Sequence, residues 1–186
     1  MKKCSLYIVA FALLSGSLFA DLHLQPGSWL VVTKAVDGPS NYDYDFLAAV
    51  VASSALTDGH PAVLSITNET CLTSDAWHAD YVRRYHPPTA IVMGQSISSI
   101  AGVSQIITLN STSAGVEQAK EIATTIWASS DQVVVCSSGD YANALVAASL
   151  AAELRVPLLF SASSGDLNTV LGQLNVQSAL VVGSSV

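Results

Sequence analysis

Charge is scarce in this 186-residue chain: Asp, Glu, Lys and Arg make up 11% of it, where soluble domains carry about 25%. Basic residues are scarcer still, seven against 14 acidic, for a formal charge of −7. That balance excludes the electrostatic grip on phosphate used by nucleic-acid binders, and it disfavours anionic lipid surfaces. Three cysteines are too few for a disulfide framework. The four histidines (one of them His23) form no zinc pattern: His60 and His86 each precede a proline, and His78 sits in a helical pattern with Trp77. Dinucleotide and P-loop glycine patterns, the G-x-S-x-G elbow and a reactive-cysteine signature are all missing. Neither an enzyme nor a cofactor is expected.

The chain also lacks an apolar run of the roughly 20 residues that a permanent membrane helix needs. Its one long apolar stretch lies at the N-terminus, where Lys2 and Lys3 precede LYIVAFALL and then SGSLFA. This is the layout of a secretory signal peptide over residues 1–20, with an exit after Ala20. No transmembrane anchor is expected, and the protein is expected to be secreted or held at the cell surface. Removing Lys2 and Lys3 takes the formal charge from −7 to −9. Export permits a bond between Cys71 and Cys136, but Cys136 ends the apolar run VVVC and reads as a buried free thiol.

What the chain has in abundance is hydrophobic residues, 51% of the total, arranged as short apolar runs alternating with helix-length segments. Strands are predicted at 29–33, 62–66, 90–93, 105–109, 132–136, 157–160 and 179–182. Helices are predicted at 44–57, 74–86, 114–128, 140–154 and 166–174. This alternation predicts an α/β fold: mainly parallel sheets with helices on the faces, in two Rossmann- or flavodoxin-like βαβ repeats. The repeat shows in GDYANALVAASLAAELRVPLLFS (139–161) and YDYDFLAAVVASSALTDGHPAVLSI (42–66). Each opens with small, acidic and tyrosine residues, runs through an Ala-rich helix and enters a proline-led strand. Laying Asp45 on Asn143 aligns the two helices. The expected division is 21–103 for the first repeat and 104–186 for the second.

The second half resembles the cell wall-binding repeat 2 family of secreted bacterial surface proteins. The likeness is carried by Val133–Val135, Ser138-Gly139-Asp140-Tyr141-Ala142-Asn143-Ala144-Leu145, Pro157-Leu158-Leu159 and Leu180–Gly183. It covers about 132–186 well and 29–98 more weakly. Asn143 stands where the family carries Asp, and Gln95 and Ser184 replace its second glycine. The resemblance implies non-covalent binding of a cell-wall glycopolymer.

In parallel α/β sheets ligands gather beyond the carboxyl ends of the strands. The loops expected there supply the candidate ligand-binding residues: Tyr42, Asp43, Tyr44 and Asp45 in the first copy, and Asp140, Tyr141 and Asn143 in the second. Tyrosine rings can stack on sugar faces while Asp and Asn hydrogen-bond hydroxyls. Alanine at both Tyr44 and Tyr141 is then expected to weaken binding without unfolding the protein. Helix capping by Asp43 and Asp140, with local packing of the tyrosines, is the plainer reading of the same residues. Asp43 with Asp45 carries no calcium-loop spacing, and no metal is expected. Two further functions stay open: a small-ligand receptor or hydrolase on a flavodoxin-like sheet, and a structural subunit that self-assembles into a homo-oligomer.

Overall fold

The computed structural model describes residues 29–35, 43–57, 62–109, 115–163 and 165–183. The expected signal peptide, Tyr42, His23 and His60 lie outside the described residues. The chain is an α/β protein with two parallel sheets. Strands β1 (Trp29–Lys34), β2 (Val63–Ile66), β3 (Thr89–Met93) and β4 (Gln105–Thr108) form the first, in the order β2-β1-β3-β4. Strands β5 (Gln132–Ser137), β6 (Leu158–Ser161) and β7 (Ser178–Val182) form the second, in the order β6-β5-β7. Helix α1 (Tyr44–Leu56) joins β1 to β2, and α2 (Cys71–Ser74) and α3 (Ala76–Tyr85) join β2 to β3. Helix α4 (Val116–Ile126) links the sheets, α5 (Tyr141–Leu154) joins β5 to β6, and α6 (Asn168–Gln173) joins β6 to β7.

The unit is used twice, down to the register. Val31 of β1 lies opposite Val63 and Ile91, and Val134 of β5 lies opposite Leu158 and Leu180. Helix caps fix the helical correspondence. Asp43 accepts from the Phe46 N–H, and Asp140 accepts from the Asn143 N–H, the usual N-cap geometry. The caps therefore pair Asp43 with Asp140 and Tyr44 with Tyr141, so the expected overlay of Asp45 on Asn143 is one residue out of step at the helix start. Strand β4, inside the expected second repeat, hydrogen-bonds to β3 and extends the first sheet.

Apolar runs become central strands because both faces are covered. On β1, Trp29 and Val31 enter the core shared by the two sheets, while Leu30 and Val32 enter a separate core beneath α3. Helix α1 is buried along almost its whole length, including Ala48, Ala49, Ala52 and Ala55. These small side chains let it pass between the first sheet and α4 and α5. Its Ser53 hydroxyl is satisfied by the backbone of Ala62 at the entry to β2. Trp127, fully buried after α4, donates its indole N–H to the Arg155 carbonyl at the end of α5, at 3.1 Å. Among the described residues no helix is long and apolar enough to cross a membrane.

Candidate functional site

With the strand order 2-1-3, the chain reverses direction across the sheet between its first and third strands, and such switch points open crevices at the strands' carboxyl ends. In the second sheet this point lies between β5 and β7. Ser138, Gly139 and Asp140 leave β5 there, and Gly183 leaves β7 with φ 109°. A Cβ on Gly183 would sit 3.0 Å from Asn143 Nδ2. Only glycine accepts both that backbone conformation and that neighbour. The Asn143 amide donates to Asp140 Oδ2 at 2.6 Å, while Asp140 Oδ1 takes the Asn143 N–H at 3.0 Å. Asp140 and Asn143 thus form a fixed polar pair at the mouth of the switch point, with Asp140 exposed. Ser137, Ser138 and Gly183 complete this rim; the strand–loop–helix order gave the loop, but Gly183 joins it only through the β5–β7 pairing.

The tyrosines behave differently. Tyr44 is 8% exposed. Its ring meets Tyr141 edge-on at 5.6 Å and Phe160 at 4.7 Å, and its hydroxyl donates to the Ser138 carbonyl. Tyr141, half-buried, shares a hydrogen bond with the Asp43 backbone, and burial first, then the Asp43 charge, pushes its pKa up. Equivalent tyrosines of the two repeats thus each reach the other's loop. The structure brings Tyr44 and Tyr141 together, but Tyr44 has no open ring face for a sugar. The expectation that alanine at both leaves the fold intact is corrected on that ground.

Asp45 turns away from this rim. It is 5% exposed, and its Oδ1 accepts the N–H of Gly115, the residue capping α4. Burial pushes its pKa up, opposed by that hydrogen bond. A native carboxyl with a raised pKa adds stability below its unfolded pKa and loses it as pH rises through the native value. Asp45→Asn keeps an acceptor for Gly115 and removes the buried charge. The variant is expected to be more stable than wild type at about pH 7 and to converge with it towards about pH 3. Urea midpoints across that range check this; no advantage at the upper end would contradict it.

At the first sheet's switch point, between β1 and β3, two buried polar atoms find no hydrogen-bond partner among the described residues: Thr33 Oγ1 near the end of β1 and Gln95 Nε2 after Gly94. Thr33 was not singled out by sequence, since a threonine at a strand end carries no motif, and Gln95 was named only as standing where the resembled family has its second glycine. Cys136 is buried and free, as expected, so it does not pair with Cys71. Burial, reinforced by the Asp140 charge, raises its pKa and keeps the thiol protonated. Among the described residues no cluster of His, Cys, Asp and Glu could hold a metal ion. On α4, Lys120 bridges Glu117 at 2.8 Å and Asp166 at 2.7 Å. Burial lowers the Lys120 pKa, but the bonds from both carboxylates outweigh it and raise it overall. That bridge ties α4 to the loop after β6.

No protein-family profile, curated protein or solved structure matches the chain.

Proposed function

We propose that the protein is exported and binds a cell-envelope glycopolymer non-covalently, without catalysis. The observation that carries this reading is the rim at the β5/β7 switch point. There the Asp140–Asn143 pair offers fixed acceptors and donors beside the half-buried Tyr141 ring, with Gly183 leaving the space that the Asn143 amide occupies. Hydroxyl-rich ligands suit such a surface, because each sugar hydroxyl can both give and accept a hydrogen bond. The family resemblance supplies the partner class. Asp140→Ser retains a helix cap while removing the carboxylate, and Asn143→Ala removes the amide. Together they are expected to lower retention on purified envelopes about tenfold with little change in melting temperature. Unchanged retention would remove this rim from the binding site.

A second reading, self-association, is favoured by an apolar surface on the second repeat. Leu145 and Val146 on α5 and Val181 on the edge strand β7 are all exposed, Val146 at 57%. Apolar edges of this kind invite pairing with another chain. A sedimentation coefficient that rises with concentration would support it.

A further inference from the structure

The free edge of the second sheet differs from its counterpart in the first repeat. Matching register makes β7 the equivalent of β3, with Leu180 in the place of Ile91 and Val181 in that of Val92. Val92 is fully buried in a core with Ile97 and Ile100, and β4 pairs along the outer side of β3. Among the described residues β7 pairs with β5 alone. Its Leu180 and Val182 pack on the core, while Ala179 and Val181 on the opposite face are exposed, Val181 at 56%. The Ser178 N–H donates to the Asp131 carbonyl, just before β5, at 2.9 Å. A parallel strand turns the backbone groups of alternate residues to opposite sides, so those of Ser178, Leu180 and Val182 face β5. The N–H and C=O groups of Ala179 and Val181 point away from the sheet.

The surroundings of this edge are free of charge, in a chain that is otherwise acidic. In the first repeat the helix leading to β3, α3, meets water through Asp80, Arg83 and Arg84. The helix leading to β7, α6, carries no charge, and no charged residue occurs from 167 to 186. Edge strands left to water are ordinarily blunted by charge or proline, and SALVV has neither. Such a strand can meet its own copy without the like-charge repulsion that the rest of a net-negative surface imposes. The other edges offer less: β2 and β6 are buried along their whole length, and β4 begins and ends in exposed Gln105 and Thr108. A two-fold axis needs one self-complementary patch, used by both copies. We propose that β7 pairs antiparallel with β7 of a second copy across a two-fold axis, joining the two three-stranded sheets into one. Ala179 and Val181 of the two copies then cover one another, in the place that β4 takes beside β3. This inference rests on the self-association reading above and assigns to it the strand edge and a closed dimer. The α5 surface at Leu145 and Val146 has no part in it.

Sedimentation equilibrium of the mature chain, residues 21–186, tests this together with amide hydrogen exchange. The mass is expected to rise from one chain to two and stop there, with a dissociation constant on the order of 10 μM. Over the same concentrations the N–H groups of Ala179 and Val181 are expected to become protected from exchange. Val181→Lys sets like charges on both sides of the axis and is expected to weaken the dimer about a hundredfold. The melting temperature of the dilute monomer should not change, because the residue is exposed. Ala179→Pro removes an outward N–H without touching the bonds to β5, and is expected to weaken the dimer as well. Val146→Lys, on α5, is expected to leave it intact. A dimer that survives both β7 variants, with exchange at Ala179 and Val181 unchanged, would overturn the β7 pairing and leave self-association standing. Assemblies larger than two chains would overturn the two-fold closure. A chain still monomeric at about 1 mM would overturn the pairing and the self-association reading together.

Discussion

Tyr44→Ala is expected to cost the fold about 3–5 kcal/mol, the range for deleting a buried aromatic ring. The ring fills the joint between the repeats, touching Tyr141 and Phe160, and its hydroxyl reaches the Ser138 carbonyl. Alanine leaves a cavity there and an unpaired carbonyl in the loop that shapes the binding rim. Tyr44→Phe separates the two effects. It keeps the ring and loses one hydrogen bond, for about 0.5–1.5 kcal/mol. Urea unfolding of the three proteins checks the order. An alanine variant as stable as wild type would mean that the two repeats do not depend on this contact. The same variants bear on function, since a loop that loses its tether to Tyr44 should hold Asp140 and Asn143 less firmly.

Leucine at Ala147 is expected to destabilise by about 1–3 kcal/mol through overpacking. Ala147 is fully buried on α5, in the core that also contains Ala48, Ala49 and Ala52 of α1. The small residues on both helices set how closely they approach, and an isobutyl group forces them apart or into strained rotamers. Leucine at Ala142, exposed in the first turn of the same helix, serves as the comparison and should be nearly silent. Equal effects at the two positions would contradict the close packing of α1 and α5.

These two positions also mark where sequence reading succeeds and stops. All seven strands were legible: β1, β2, β3, β5 and β6 because strands covered on both faces read as apolar runs, as in VVVC of β5, and the more exposed β4 and β7 because QIIT and SALVV still carry short apolar runs. Helices α1 and α5 were legible from length and small-residue content, and their caps from Asp43 and Asp140. Helix α2 was not: four residues, CLTS, are too few to show a period. The membership of β4 was not legible either, since strand order is decided by pairing across the chain. Nor was the meeting of Tyr44 with Tyr141, or of Asp45 with Gly115. Tyr44 and Asp45 are neighbours in sequence, yet one turns to the second repeat and the other to α4. A cluster of tyrosine and aspartate reads as a polar binding loop when its members are counted along the chain. In the fold its members divide between a rim and a core joint.

The glycopolymer claim is tested most directly by co-sedimenting residues 21–186 with purified envelopes of the producing cells, before and after acid stripping of their secondary polymers. The account predicts that the folded protein pellets with intact envelopes and stays in the supernatant with stripped ones. Equal pelleting with both, or with neither, would contradict it.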